Sequence, residues 1–154
     1  MEKVTKTARD LVKGKAHGII FVSGEDPVLE ALKALAEHDI GAVLVMNGDT
    51  LAGILSERDC VRKLELDGRT AAGTRVREIM TSRVVYATPN NTVDQCLALM
   101  KDKRIRHLPV VDGNRVIGVL SVRDVLEELM AEEGQLIQQL QQDRLYFTET
   151  GGTY

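Results

Sequence analysis

Apolar positions along the chain change their period several times, and each change marks an element. Residues 19–22 and 84–87 are short apolar, β-branched-rich runs, which predict buried strands. After Asp26-Pro27, the positions Val28, Leu32, Leu35 and Ala36 fall at helical spacing. After Asn91-Thr92, Val93, Leu97, Met100 and Lys101 follow it less cleanly. Pro27 suits a first-turn position, where a missing N–H leaves no helical bond unmade. The runs AVLVM (42–46) and LAGILS (51–56) flank Asn47-Gly48-Asp49, and LPVV (108–111) and VIGVLS (116–121) flank Asp112-Gly113-Asn114. Apolar runs around Asn-Gly or Asp-Gly predict tight hairpins. A further helix then follows in each stretch, from Glu57 to about Leu66 and from Val122 to about Met130.

The two stretches are copies. A slide of 65 positions lays Gly18–Asp59 over Arg83–Asp124 without a gap. Identical pairs include Val28/Val93, Leu32/Leu97, Ile40/Ile105, Val45/Val110, Gly48/Gly113, Gly53/Gly118 and Leu55/Leu120, and the run ends on Ser56/Ser121, Arg58/Arg123 and Asp59/Asp124. Two ungapped copies imply an α/β (α+β) fold of tandem β-α-β-β-α units packed about a pseudo-twofold axis. The expected division is 1–74 (leading segment, first unit and linker), 75–131 (second unit) and 132–154 (C-terminal helix and tail). Thr5–Lys13 reads as a short leading helix, Asp67–Gly73 as a polar connection, VREIM (76–80) as one helical turn, and Gln135–Phe147 as a Gln-rich packing or dimer helix. Thr148–Tyr154 reads as a frayed end.

Composition narrows the class of function. Aromatics make up 3% and Trp is absent, so the core must come from Val, Ile, Leu, Met and Ala. A net charge of −3 argues against a nucleic-acid partner, which calls for a basic excess. Basic residues gather at Arg58, Arg62, Lys63, Arg69, Arg75 and Arg77, and acidic ones at Glu127, Glu128, Glu132 and Glu133; solvated surface is the plain expectation for both. Cys60 and Cys96 lack metal-type or redox spacing, which suits packed, reduced thiols. The residues Met1–Asp10 form no signal-peptide run and no apolar run is long enough for a membrane, so the expected location is the cytoplasm.

Both copies leave their last strand through Gly-h-h-Ser-x-Arg-Asp, at 53–59 and 118–124. Ser56 and Ser121 are ready helix N-caps, with Asp59 and Asp124 answering three residues later as in a capping box. The same geometry suits a ribose-phosphate: helix-start N–H groups and the Ser hydroxyl favour phosphate, the carboxylate accepts ribose hydroxyls, and Arg pairs with phosphate. Gly53 and Gly118 leave the strand bare, so that a flat base or another backbone can approach. His17 and His38 read as solvent-facing, and Arg62 and Lys63 as surface cover.

The doubled unit, these strand exits, the segment RHLPVVDGNRVIGVLS (106–121) and the linker VREIMTSRVVYATPNNTV (76–93) resemble a CBS-domain pair, over roughly residues 5–131. The resemblance implies two clefts between the units that bind AMP in the first place, ATP or NAD as alternatives, and pairing of two modules into a flat homodimer. In one cleft it implies Ser121, Arg123 and Asp124 as polar partners, Arg106 and His107 nearby, and an adenine wall at Gly18, Ile20 and Ile40. In the other it implies Ser56, Arg58 and Asp59, with Gly41 and Ala42 alongside and a wall at Arg83, Val85 and Ile105. The first cleft is expected to be the more cationic, through Arg106 and His107. Val43-Leu44-Val45 lacks the proline of the Leu-Pro-Val that the second copy carries.

No G-x-S-x-G, HExxH, Walker or metal-ligand pattern occurs, so no catalytic residue, metal or catalytic cofactor is expected. The expected function is a stand-alone regulatory module that binds an adenosine nucleotide and signals in trans to an unidentified protein. The alternative is a ligand-free structural or protein-interaction module using the same serines as caps.

Overall fold

A computed structural model describes residues 6–15 and 18–134. The readings for Thr5, His17, Gln135–Phe147 and Thr148–Tyr154 lie outside the described residues. The leading helix α1 (Ala8–Lys13) precedes unit one, which comprises β1 (Phe21–Ser23), α2 (Val28–His38), β2 (Ala42–Asn47), β3 (Thr50–Ser56) and α3 (Glu57–Cys60). The linker turn α4 (Val76–Ile79) leads to unit two: α5 (Val93–Lys103), β4 (His107–Asp112), β5 (Arg115–Ser121) and α6 (Val122–Glu132).

The 65-residue repeat holds down to the register. β2 pairs antiparallel with β3 from Ala42↔Ser56 to Asn47↔Thr50, with a shift at Val45/Met46. β4 pairs with β5 from His107↔Ser121 to Asp112↔Arg115, with the shift at Val110/Val111. Each hairpin turns on a glycine at positive φ, Gly48 at 61° and Gly113 at 62°, the conformation a two-residue loop demands. Even the left-handed residues that end α2 and α5 correspond, Asp39 at φ 50° and Arg104 at φ 56°.

Four sequence expectations need correction. The run 84–87 does not form a strand and is reduced to a single parallel bridge, Ala87↔Val110. The reason lies in Pro109. Its counterpart Leu44 donates an N–H to Ile20 at 3.3 Å and extends the β1–β2 pairing, whereas Pro109 has no N–H to give. The helix expected from Glu57 to Leu66 is α-helical only to Cys60. It then widens into a π-helical stretch, Val61–Glu65, with Leu66 N–H reaching the Val61 carbonyl at 3.1 Å. That wider turn sets Leu64 in the core with Val76 and Ile79 of α4. The buried stripe of α2 and α5 runs through Val28, Ala31 and Leu35, and through Val93, Cys96 and Met100, not through Ala36 and Lys101, which are exposed. Pro27 stands at the N-cap of α2, one residue before the first helical position.

Each unit has its own core, and the segments between units are exchanged. α4 packs on unit one, with Val76 and Ile79 in the cluster of Val28, Leu35, Val43, Val45 and Leu55. α1 packs instead on unit two, with Ala8 in the cluster of Val93, Met100, Leu108, Val110 and Leu120. The bridges Pro27↔Arg75 and Thr7↔Thr92 tie these segments down at equivalent places. Segment 7–15 is therefore the counterpart of 75–83, a second repeat with an offset of 68. Leu55 and Leu120, fully buried at equivalent positions, each contribute about 1.5–3 kcal/mol of apolar burial.

The candidate clefts between the units

At both strand exits the sequence builds the local structure that the serine and aspartate require. The Ser56 N–H donates to Asp59 Oδ2 at 3.0 Å, the Ser56 hydroxyl to the same oxygen at 3.1 Å, and the Asp59 N–H to Ser56 Oγ at 3.1 Å. At the second exit the Ser121 N–H donates to Asp124 Oδ2 at 2.7 Å and the Asp124 N–H to Ser121 Oγ at 3.1 Å. Both are complete capping boxes. Two N-terminal N–H groups of each helix are thus engaged, since the Glu57 N–H also reaches the Gly41 carbonyl at 3.0 Å and the Val122 N–H the Arg106 carbonyl at 2.8 Å. The caps hold the carboxylates at fixed positions on the rims of two clefts.

The first cleft, of about 850 Å³, is lined by all eight residues expected there: Gly18, Ile20, Ile40, Arg106, His107, Ser121, Arg123 and Asp124. The second, of about 320 Å³, likewise brings together Gly41, Ala42, Ser56, Arg58, Asp59, Arg83, Val85 and Ile105. Each cleft therefore takes its capping box from one unit and its apolar wall from the other.

Sequence reasoning missed Lys15. Its ammonium donates to Asp124 Oδ2 at 2.8 Å and to the Val119 carbonyl at 2.8 Å, and it lines the first cleft. Burial pushes the Asp124 carboxyl up, but the Lys15 hydrogen bond, the Ser121 N–H and the Lys15 charge outweigh it and hold the group below its ordinary value. The 68-residue offset was the available signal, because it makes Lys15 the counterpart of Arg83 in the other cleft. At the second exit the cation on the carboxylate is Lys63, 3.2 Å from Asp59 and also bonded to the Ile79 carbonyl at 3.2 Å. Lys63 is thus a structural bridge rather than surface cover.

The expected ranking of cationic character is reversed. Arg106 and His107 line both clefts, because they open β4 beside Gly41 and Ala42 at the opening of β2. A Cβ on Gly41 would stand 3.2 Å from His107 Cε1 and Nε2, so glycine makes room for the ring. Burial, then the Lys15 charge, lower the His107 pKa; Asp124 acts the other way, and Arg106 lowers it further. The second cleft adds Arg58, Arg83 and Arg104 to Arg106, which makes it the richer in arginine.

The bare strand positions also serve a different neighbour. A Cβ on Gly53 would meet Met80 Sδ at 2.7 Å and the Thr81 carbonyl at 2.8 Å, and one on Gly118 would meet the Val12 side chain. The exchanged segments, not a ligand base, use this clearance. Cys60 and Cys96 are buried thiols, and burial is the first cause that raises each pKa. His38 is half-buried rather than open to solvent. Among the described residues no group of three metal-ligating side chains occurs, and no helix is long and apolar enough to cross a membrane.

Comparison with known proteins agrees with the duplicated architecture. The chain is 34% identical over 143 residues to the mitochondrial CBS domain-containing protein CBSX3 of Arabidopsis thaliana, covering 87% of this chain and 69% of that protein. It is 31% identical over 115 residues to the CBS domain-containing protein YhcV of Bacillus subtilis, covering 75% and 81%. A solved structure described as a putative signal-transduction protein with CBS domains, from Burkholderia ambifaria, superposes with a TM-score of 0.79 at 43% identity, over 83% of this chain and 96% of that one. The family model of the CBS domain matches twice, at residues 8–66 and 76–131, and the chain therefore belongs to the CBS-domain family and contains two of its units.

Proposed function

We propose that the two clefts bind adenosine compounds, AMP first with ATP or NAD as alternatives, and that occupancy reports their level to a partner protein in trans. CBS pairs form a regulatory module family, and the observation that carries the finer reading is the composite build of each cleft. A ligand spanning the capping box of one unit and the wall of the other favours one relative placement of the units. It shifts such an equilibrium only by its differential affinity for the two placements, typically about 1–3 kcal/mol of coupling. The side chains here bind and orient; no catalytic step is assigned to them. Pairing of two modules is part of the proposal, and two buried reduced thiols fit a reducing compartment, the cytoplasm in the simplest case.

The test is mass spectrometry of ligands released on denaturation, followed by titration calorimetry of nucleotide-free, folded protein with AMP, ATP and NAD. Release or binding near one ligand per cleft, with loss of one site in Asp124→Ala, supports the reading. No release, and no heat at millimolar ligand, refutes it. The second reading, a ligand-free interaction module, is favoured by one observation: each serine and aspartate already has a full set of capping bonds.

A further inference from the structure

Equivalent positions of the two clefts differ most in charge. Asp39 and Arg104 end α2 and α5 in the same left-handed conformation, and each lines one cleft, Asp39 the first and Arg104 the second. One structural position thus carries a carboxylate in one cleft and a guanidinium in the other. In the second cleft Arg58, Arg83, Arg104 and Arg106 face only Glu57 and Asp59, and Asp59 already holds Lys63. None of these four arginine side chains has an ion pair among the described residues. In the first cleft Lys15 is bound to Asp124 and Arg123 to Glu127 at 3.0 Å, with Asp39 as a third carboxylate, so its charges balance.

Unpaired guanidiniums converging from both units on one cleft are suited to a chain of phosphates, each able to accept a bidentate pair. The four arginines are exposed at the cleft mouth, so a phosphate chain can lie along them without needing enclosed volume. Resting on the nucleotide reading above, we propose that the Ser56/Asp59 cleft selects nucleoside triphosphates and that Arg104 is its specificity-determining residue. The roomier, charge-balanced Ser121/Asp124 cleft takes adenosine compounds of low charge. The sites thereby sense two ligands rather than one ligand twice.

Calorimetry of the full chain with ATP, AMP and inorganic tripolyphosphate tests this, at low salt and at physiological salt, where screening acts over about 8 Å. Arg104→Asn is the first variant, because asparagine accepts a positive φ; Arg58→Gln is the second, should the first fail to give a cooperative melt. The expected result is about tenfold weaker ATP binding, the scale of one charge-assisted contact. AMP binding should change by less than about twofold, the scale of an exposed charge. Tripolyphosphate should displace ATP and leave AMP in place, and Asp39→Asn should strengthen ATP binding at the other cleft. Nucleotide binding that is indifferent to both arginine variants overturns the proposal and leaves the nucleotide reading standing. Tripolyphosphate binding without any nucleotide binding overturns the nucleotide reading, and the triphosphate selectivity with it. Absence of binding by every probe overturns both.

Discussion

Lys15→Met would remove one ammonium while keeping most of its apolar stem, and it isolates the contact that ties the leading segment to the first cleft. Lys15 Nζ makes two hydrogen bonds of 2.8 Å, to Asp124 and to the Val119 carbonyl. The side chains of Lys15 and Asp124 are 29% and 26% exposed, so water screens the pair only in part. A charge-assisted bond contributes about 1.5–3 kcal/mol; discounted for that exposure, the net loss should be about 1–2 kcal/mol. For a chain of this length that corresponds to a fall in Tm of roughly 3–7 °C at neutral pH. The difference must also depend on pH. The folded-state Asp124 pKa lies below its unfolded value, so between the two the unfolded chain binds more protons. The stabilisation is therefore complete above the ordinary carboxylate value of about 3.9 and is lost as pH falls through the folded value. Scanning calorimetry from pH 7 to pH 3 should show the gap between wild type and variant closing on acidification. The His107 resonances should titrate higher in the variant, because the Lys15 charge is the second cause of the lowered value. A gap under 1 °C at pH 7, or one that persists unchanged into acid, would refute the reasoning.

Gly53→Ala should lower stability by about 1–3 kcal/mol, since the new methyl group meets the Thr81 carbonyl, a backbone atom that cannot swing aside; urea denaturation measures it. Gly118→Ala should cost a similar amount but be rescued by Val12→Ala, because the three nearest atoms to the new methyl all belong to the Val12 side chain; a double-mutant cycle without coupling would contradict the contact. Ser56→Ala and Ser121→Ala should each lose about 0.5–2 kcal/mol with their caps, read by thermal melting. His107 has a lowered folded pKa, so the unfolded chain binds the extra proton first, and stability should fall as pH drops below its ordinary value of about 6.5. His107→Gln should flatten that slope in the stability–pH profile.

What was legible in the sequence is what depends on local pattern. Hairpins were readable because Asn-Gly and Asp-Gly sit between apolar runs, and the caps because Ser and Asp stand three apart ahead of a helix. The cleft lining came from the resemblance to a CBS-domain pair, which the 65-residue repeat let us carry onto both copies. Other features depend on contacts between distant segments. The loss of the strand at 84–87 hinges on one absent N–H, that of Pro109, in a partner more than twenty residues away. The stripe through Ala31 and Cys96 was missed because small residues carry a weak apolar signal next to Ala36, although both are fully buried. Lys15 belongs to a segment that crosses to the other unit, so no window around Asp124 contains it.

The two repeats do different things to the charge pattern, and the difference explains why the clefts are not equivalent. The 65-residue repeat preserves backbone form: registers, bulges, caps and even the left-handed residues coincide. Those features are set by hydrogen bonding and φ, which restrict residue choice, so the copies stay alike there. A side chain at the cleft mouth is under no such restriction, and Asp39 can stand where its twin has Arg104 with the same backbone. The 68-residue repeat then places a cation from an exchanged segment at each cleft, but Lys15 is consumed by Asp124, whereas Arg83 has no ion pair among the described residues and Asp59 is held by Lys63. The positions Asp39/Arg104 and Lys15/Arg83, together with the Arg123–Glu127 and Lys63–Asp59 pairs that have no counterpart in the other copy, separate the electrostatics of clefts built on matching hairpins and caps. Charge adds to the difference in room between the sites: a ligand whose charge varies with its phosphate count meets balanced charges in one cleft and, in the other, arginines without ion pairs among the described residues.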